Sequence, residues 1–198
     1  VSTKRVPAAA TKLTQPPEER GYIVGQFVQN AAASSRLIEW FGGGGFSHVD
    51  AVLPNGALLG ARSDAIGGQD PGVRIRPPGY EAWPRLIIMR KEVPASQARA
   101  WERFLAAQVG APYDKRGIWD FVTGGNLTDS GRDWRDPSAW FCSELWVRSL
   151  EVAGVIPLLP LSPNRITPGT AACIAGAAGF QVIKRAGYPE ELTVTAAA

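Results

Sequence analysis

The 198-residue chain contains one histidine, His48, and two cysteines, Cys142 and Cys173. Imidazole is the side chain whose ordinary proton affinity lies near neutral pH, so a proton shuttle of that type has a single seat here. The thiolate is the form of cysteine that attacks carbonyl carbon, and it is favoured by the positive end of a helix and by a nearby imidazolium. Cys142, within Trp140-Phe141-Cys142-Ser143-Glu144-Leu145, stands close to an expected helix start and is the candidate nucleophile. Cys173, within Ala171-Ala172-Cys173-Ile174-Ala175, reads as a small buried apolar residue, the usual fate of a free cysteine. A Cys142–Cys173 disulfide is the alternative use of the two thiols. A lone histidine is ordinarily a hydrogen-bonded strand residue; a thiol partner is what raises His48 above that reading.

Other chemistries find less support. Cysteines 31 positions apart and a distant histidine match no zinc spacing, so neither metal nor cofactor is expected. Ser47 lies in no Gly-x-Ser-x-Gly elbow. Gly42 to Gly45 lack the strand, helix and lysine of a phosphate loop, and read as a lip beside a groove.

The elements that must position these groups follow from periodicity. Residues 1–20, with Pro7, Pro16, Pro17 and no sustained apolar pattern, read as a tail or extended arm, and 191–198 as a second tail around one domain over 21–190. Tyr22 to Val28 is strand-like, and residues 31–41 read as a helix stopped by the glycine run. Phe46 to Leu53 and Ala57 to Arg62 flank Pro54-Asn55-Gly56, a hairpin signal. In such a strand His48, Asp50 and Val52 share one face, and Val49, Ala51 and Leu53 the other. Gly72 to Arg76 alternates, and Arg85 to Arg90 reads as a buried strand of the same antiparallel sheet. Ser96 can cap a helix carrying Trp101, Phe104 and Leu105, ending near Gly110. Asp136-Pro137-Ser138 offers start signals for a second helix, with Cys142, Leu145, Trp146, Ser149 and Leu150 on one stripe as far as Gly154. Ser162 to Pro168 is turn-rich, and Phe180 to Ile183 reads as a last strand.

Composition narrows the class. Hydrophobic residues at 45% and charged residues at 20% are a globular balance, and 22 glycines with 16 prolines imply many turns. The 21 basic residues, for a net charge of +3, are scattered rather than clustered, which argues against nucleic-acid binding. No stretch approaches the length of about 18 apolar residues that a spanning helix needs. The chain reads as soluble. Its first residue is Val, as in a trimmed or processed chain, and no signal-type apolar core stands in it.

Phe46-Ser47-His48-Val49-Asp50 followed by a hairpin, then Gly110-Ala111-Pro112-Tyr113-Asp114, then Trp140-Phe141-Cys142-Ser143-Glu144-Leu145, resembles the circularly permuted branch of the NlpC/P60 papain-like superfamily, the YiiX-like proteins in particular. The likeness covers Gly21 to Pro168 and carries histidine before cysteine in the chain. It implies an α+β fold with an antiparallel sheet packed against helices. It also implies a thiol hydrolase of peptidase or amidase type acting on amide or ester bonds, among them those of bacterial cell-wall peptides. Cys142 would be the nucleophile and His48 the general base. The runner-up readings are a catalytically silent module that binds peptide or glycan in the same cleft, and a lipid acyltransferase.

The third catalytic residue departs from the family. Relatives place a polar side chain about a dozen positions after the histidine, where this chain has Gly60, which cannot orient a ring. A two-residue Asn55-Gly56 turn sets Ser63 opposite His48, and a turn one residue longer sets Arg62 there. Asp50, one repeat along the strand on the His48 face, is the preferred orienting carboxylate. The Cys142 backbone N–H at the helix start is a candidate oxyanion donor, with Gln26 as a possible amide donor and Tyr113 lining the site.

Overall fold

A computed structural model describes residues 19–29, 45–114, 139–160 and 166–187. Within them run β1 (Arg20–Gln29), β2 (His48–Val52), β3 (Leu58–Arg62), β4 (Gly72–Arg76), β5 (Arg85–Pro94), α1 (Ala95–Ala107), α2 (Cys142–Val152), α3 (Pro168–Ala177) and β6 (Gln181–Ala186). The strands form one sheet in the order β4-β3-β2-β1-β5-β6, each neighbouring pair antiparallel. The class is therefore α+β. The expected helix over 31–41, the glycines before Gly45, the start signals at 136–138 and both termini lie outside the described residues. Arg20, assigned above to the tail, is the first residue of β1.

Side-chain alternation decides which face the helices cover. Ile23 and Phe27 of β1, Val49 and Ala51 of β2, Leu59 and Ala61 of β3 and Ile87, Met89 and Val93 of β5 join Trp101, Leu105, Leu145, Trp146 and Leu150 in one buried core. α1 lies on β1 and β5, while α2 lies on β2 and β3 beside α1. Gly25 permits this approach: a Cβ there would stand 2.8 Å from the Trp146 ring. That indole meets Phe27 edge-on at 5.1 Å and Phe180 at 5.6 Å, joining the central strand to the segment before β6.

Several local readings change in the folded chain. The hairpin loop has three residues, Pro54 to Gly56: Gly56 N donates to Leu53 O and Leu53 N to Ala57 O, both at 2.8 Å, with Gly56 at φ +82°. Asn55 Oδ1 also accepts from Ala57 N at 3.0 Å. Glycine in that left-handed position is what lets a turn close with the longer register. Pro94 rather than Ser96 is the boundary residue of α1, and the helix begins at Ala95. Arg85 to Arg90 is the first part of a longer strand that alternates in burial. α3 was not anticipated: its residues are small and almost all apolar, so no stripe marks it, although Thr167 Oγ1 accepts from Thr170 N at 3.0 Å and Pro168 opens it. Cys142 and Cys173 are both free thiols, and Cys173 is exposed on α3 rather than buried. Among the described residues no helix is long and apolar enough to cross a membrane.

Trp146→Ala should cost about 3–5 kcal/mol, because it removes a buried indole and leaves a cavity that Phe27, Phe180 and Gly25 cannot close. Urea unfolding monitored by circular dichroism measures it; a loss under about 1 kcal/mol would contradict this packing.

Candidate active site

β2 supplies the first two groups. His48 opens the strand and Asp50 follows on the same face, opposite to the one the helices cover. His48 Nε2 and Asp50 Oδ1 are 2.8 Å apart, with Asp50 only 1% exposed and His48 7%. The β2–β3 register pairs Ala51 with Leu59 and Val52 with Leu58, and the same spacing extended along the hairpin would align Asp50 with Gly60 and His48 with Arg62. Ser63 is not the residue opposite. Gly60 has a different part to play: a Cβ at this position would fall 2.0 Å from Asp50 Oδ1. The carboxylate occupies the volume that a side chain on β3 would fill, so the orienting group sits on the histidine's own strand and the facing position must be bare.

α2 supplies the nucleophile. Cys142 is its first residue and is 3% exposed. Helix placement at the first turn directs unpaired backbone N–H groups and the positive end of the dipole toward the sulfur. Glu144 Oε2 accepts from Phe141 N at 3.2 Å and so satisfies the boundary amide; the reciprocal half of a capping box is missing, since the Phe141 side chain carries no acceptor. Burial pushes the Glu144 carboxyl up to about 8, against the Phe141 amide bond and with help from Asp114, so it caps the helix without a full charge at neutral pH. Ser143 Oγ donates to Ile166 O, tying the start of α2 to the segment before α3.

Strand and helix ends meet at the thiol and the ring. Cys142 lies close enough to His48 to be among the groups that raise the proton affinity of the imidazole. With Nε2 committed to Asp50, Nδ1 is the nitrogen available to a second partner. Burial lowers the proton affinity of His48, but the Asp50 charge and hydrogen bond, followed by Cys142, outweigh it and push the imidazole up to about 9. Burial likewise raises Asp50, while the charge and hydrogen bond of His48 and then the Tyr80 hydroxyl hold it below the usual carboxylate range.

The connection between β4 and β5 covers this pair. Tyr80 Oη donates to Asp50 Oδ2 at 2.9 Å and lies 3.5 Å from His48 Nε2. Trp83 stacks on the imidazole, with centroids 6.2 Å apart and planes 24° from parallel. Arg62 reaches Asp64 through two bonds of 2.8 Å, Glu81 Oε2 at 2.8 Å and Tyr80 Oη at 3.3 Å, so it clamps the connection to β3. Arg76 donates to Gly60 O at 3.1 Å and lies over the Tyr80 ring at 5.6 Å.

Of the residues singled out from sequence, Cys142, His48 and Asp50 are brought together. Tyr113 lies near them: burial, and then the charge of Cys142, push its hydroxyl well above its ordinary value, and its ring leans on Phe141 at 5.9 Å. Gln26 is buried on β1 directly across from Asp50, on the same face. Arg62 faces the histidine strand but is spent on Asp64, Glu81 and Tyr80. Tyr80 and Trp83 were missed, because Pro77-Pro78-Gly79-Tyr80-Glu81-Ala82-Trp83-Pro84 carries no period that could place a side chain. Among the described residues no cluster of three His, Cys, Asp or Glu could hold a metal ion. The chain matches no protein-family model and no curated protein.

Two predictions follow from Gly60 and Asp50. The Gly60 backbone has an ordinary φ, so in Gly60→Ala the cost falls on the carboxylate, which must leave its place. The single imidazole should then titrate well below about 9 by NMR, as it should in Asp50→Asn. An unshifted histidine in a folded Gly60→Ala protein would contradict the role given to that space. The second concerns stability. Because folding raises His48 from 6.5 to about 9, its contribution is complete below about pH 6.5 and is lost as pH rises through about 9. Asp50, held below 3.8, contributes above that value and loses its contribution in acid. Urea midpoints across pH should show both limbs, and Asp50→Asn should flatten them.

Proposed function

We propose that this chain is a cysteine hydrolase of permuted papain-like, NlpC/P60 type, cleaving amide or ester bonds. The observation that carries the reading is the buried His48–Asp50 pair at 2.8 Å beside a cysteine at the first position of α2 that adds to the proton affinity of the same imidazole. Near neutral pH His48 holds the thiol proton as imidazolium, and the Cys142 thiolate paired with it attacks the carbonyl carbon. Asp50 holds the ring and stabilises the imidazolium that forms. The Cys142 N–H at the start of α2 donates to the developing oxyanion. His48 returns its proton to the leaving amine or alcohol, and then draws a proton from the water that releases the acid and restores the thiol.

Burial favours one alternative, a silent module that binds peptide or glycan without turnover, since Cys142 is 3% exposed and His48 7%. Incubation with bacterial wall peptides and mass-spectrometric analysis of the products separates the two. The hydrolase releases new carboxyl ends, and Cys142→Ser and His48→Ala each reduce the rate by about a thousandfold or more. Product formed instead on an added amine would assign acyl transfer. Fragment binding by Cys142→Ser without any turnover by the native chain would favour the silent module, and neither binding nor turnover would overturn wall peptides as the substrate class.

A further inference from the structure

The Asp50 carboxylate depends on very little for its orientation. Its Oδ1 faces His48 Nε2, and the strand opposite contributes only the space at Gly60, with no side-chain donor. The second oxygen is held by the Tyr80 hydroxyl at 2.9 Å. That hydroxyl is itself directed: Arg62 Nη1 donates to it at 3.3 Å, which leaves the Tyr80 proton for Asp50. The ring is fixed edge-on to Trp83 at 5.7 Å, and the Arg62 and Arg76 guanidiniums each lie 5.6 Å from its centroid.

We propose that Tyr80 is a positioning residue of this site, its hydroxyl held by Arg62 so that it locks the Asp50 carboxylate with Oδ1 toward the imidazole. The hydroxyl lies 3.5 Å from His48 Nε2, farther than the 2.8 Å of the carboxylate, so its action on the ring runs through Asp50. A tyrosine that merely anchored the loop would add stability and leave the imidazole indifferent to its oxygen. For turnover the inference rests on the hydrolase reading, but the imidazole reports on it directly.

The single histidine makes the test unambiguous, because labelled protein yields one imidazole spin system. In Tyr80→Phe, which keeps the ring and its packing, the Nε2–H signal should exchange with water at least about tenfold faster, and proton affinity should fall by about tenfold or more. Asp50→Asn combined with Tyr80→Phe should match Asp50→Asn alone, since the two changes break one path. A folded Tyr80→Phe protein with native histidine exchange and titration overturns the proposal, and so does a double variant whose effects simply add. Urea midpoints provide a second reading: Tyr80→Phe should shrink the stability change between about pH 6.5 and 9 and end it at lower pH, and a uniform loss at every pH would assign Tyr80 to anchoring alone. Failure of the wall-peptide assay would leave these results standing, whereas a native imidazole would count against Tyr80 whatever the substrate.

Discussion

The bond between His48 Nε2 and Asp50 Oδ1 is a charge-assisted contact made almost out of reach of water, and the surrounding parts are arranged around it. A buried carboxylate is costly unless its oxygens are occupied, and a buried imidazolium is costly without a counter-charge. Each group answers the cost of the other, which is why the ring holds its proton more tightly and the carboxylate less tightly than in water. Two residues on one face of a strand meet in this way only if the facing strand offers no side chain between them. Gly60 meets that condition.

The second constraint is directional. A ring has two nitrogens on different edges, and Asp50 takes one of them. In the proposed hydrolase the thiol would have to use the other, from an element that ends at the site rather than crossing it. α2 begins at Cys142, and its approach is governed by contacts outside the catalytic groups themselves: Trp146 against Gly25 and Phe27, Ser143 against Ile166, and Glu144 on the Phe141 amide. Packing of the helix on the sheet and placement of the sulfur are thus one problem.

The paired cations belong to the same scheme. Arg62, on the strand facing His48, spends its hydrogen bonds on Asp64, Glu81 and Tyr80, holding an irregular connection over the carboxylate. With glycine at position 60 of β3, the carboxylate that meets the imidazole comes from β2, and a hydroxyl from the β4–β5 connection holds its second oxygen.

Much was legible in the residues themselves. A single histidine, a cysteine at a helix start and the alternation that puts Asp50 beside His48 follow from chain geometry: period-two strands, 3.6-residue helices, and glycine at a turn. The antiparallel sheet and most of its strands were readable for the same reason. Local pattern could not supply distances between segments far apart in the chain. Whether the hairpin loop held two residues or three, and so whether Ser63 or Arg62 faced the histidine, was settled by hydrogen bonds around Gly56. That Gly60 is a space rather than a loss depends on where the Asp50 oxygens lie across the ladder. Tyr80 and Trp83 reach the site from a proline- and glycine-rich connection without a period, and only the packing of that connection against β2 and β3 decides what they touch.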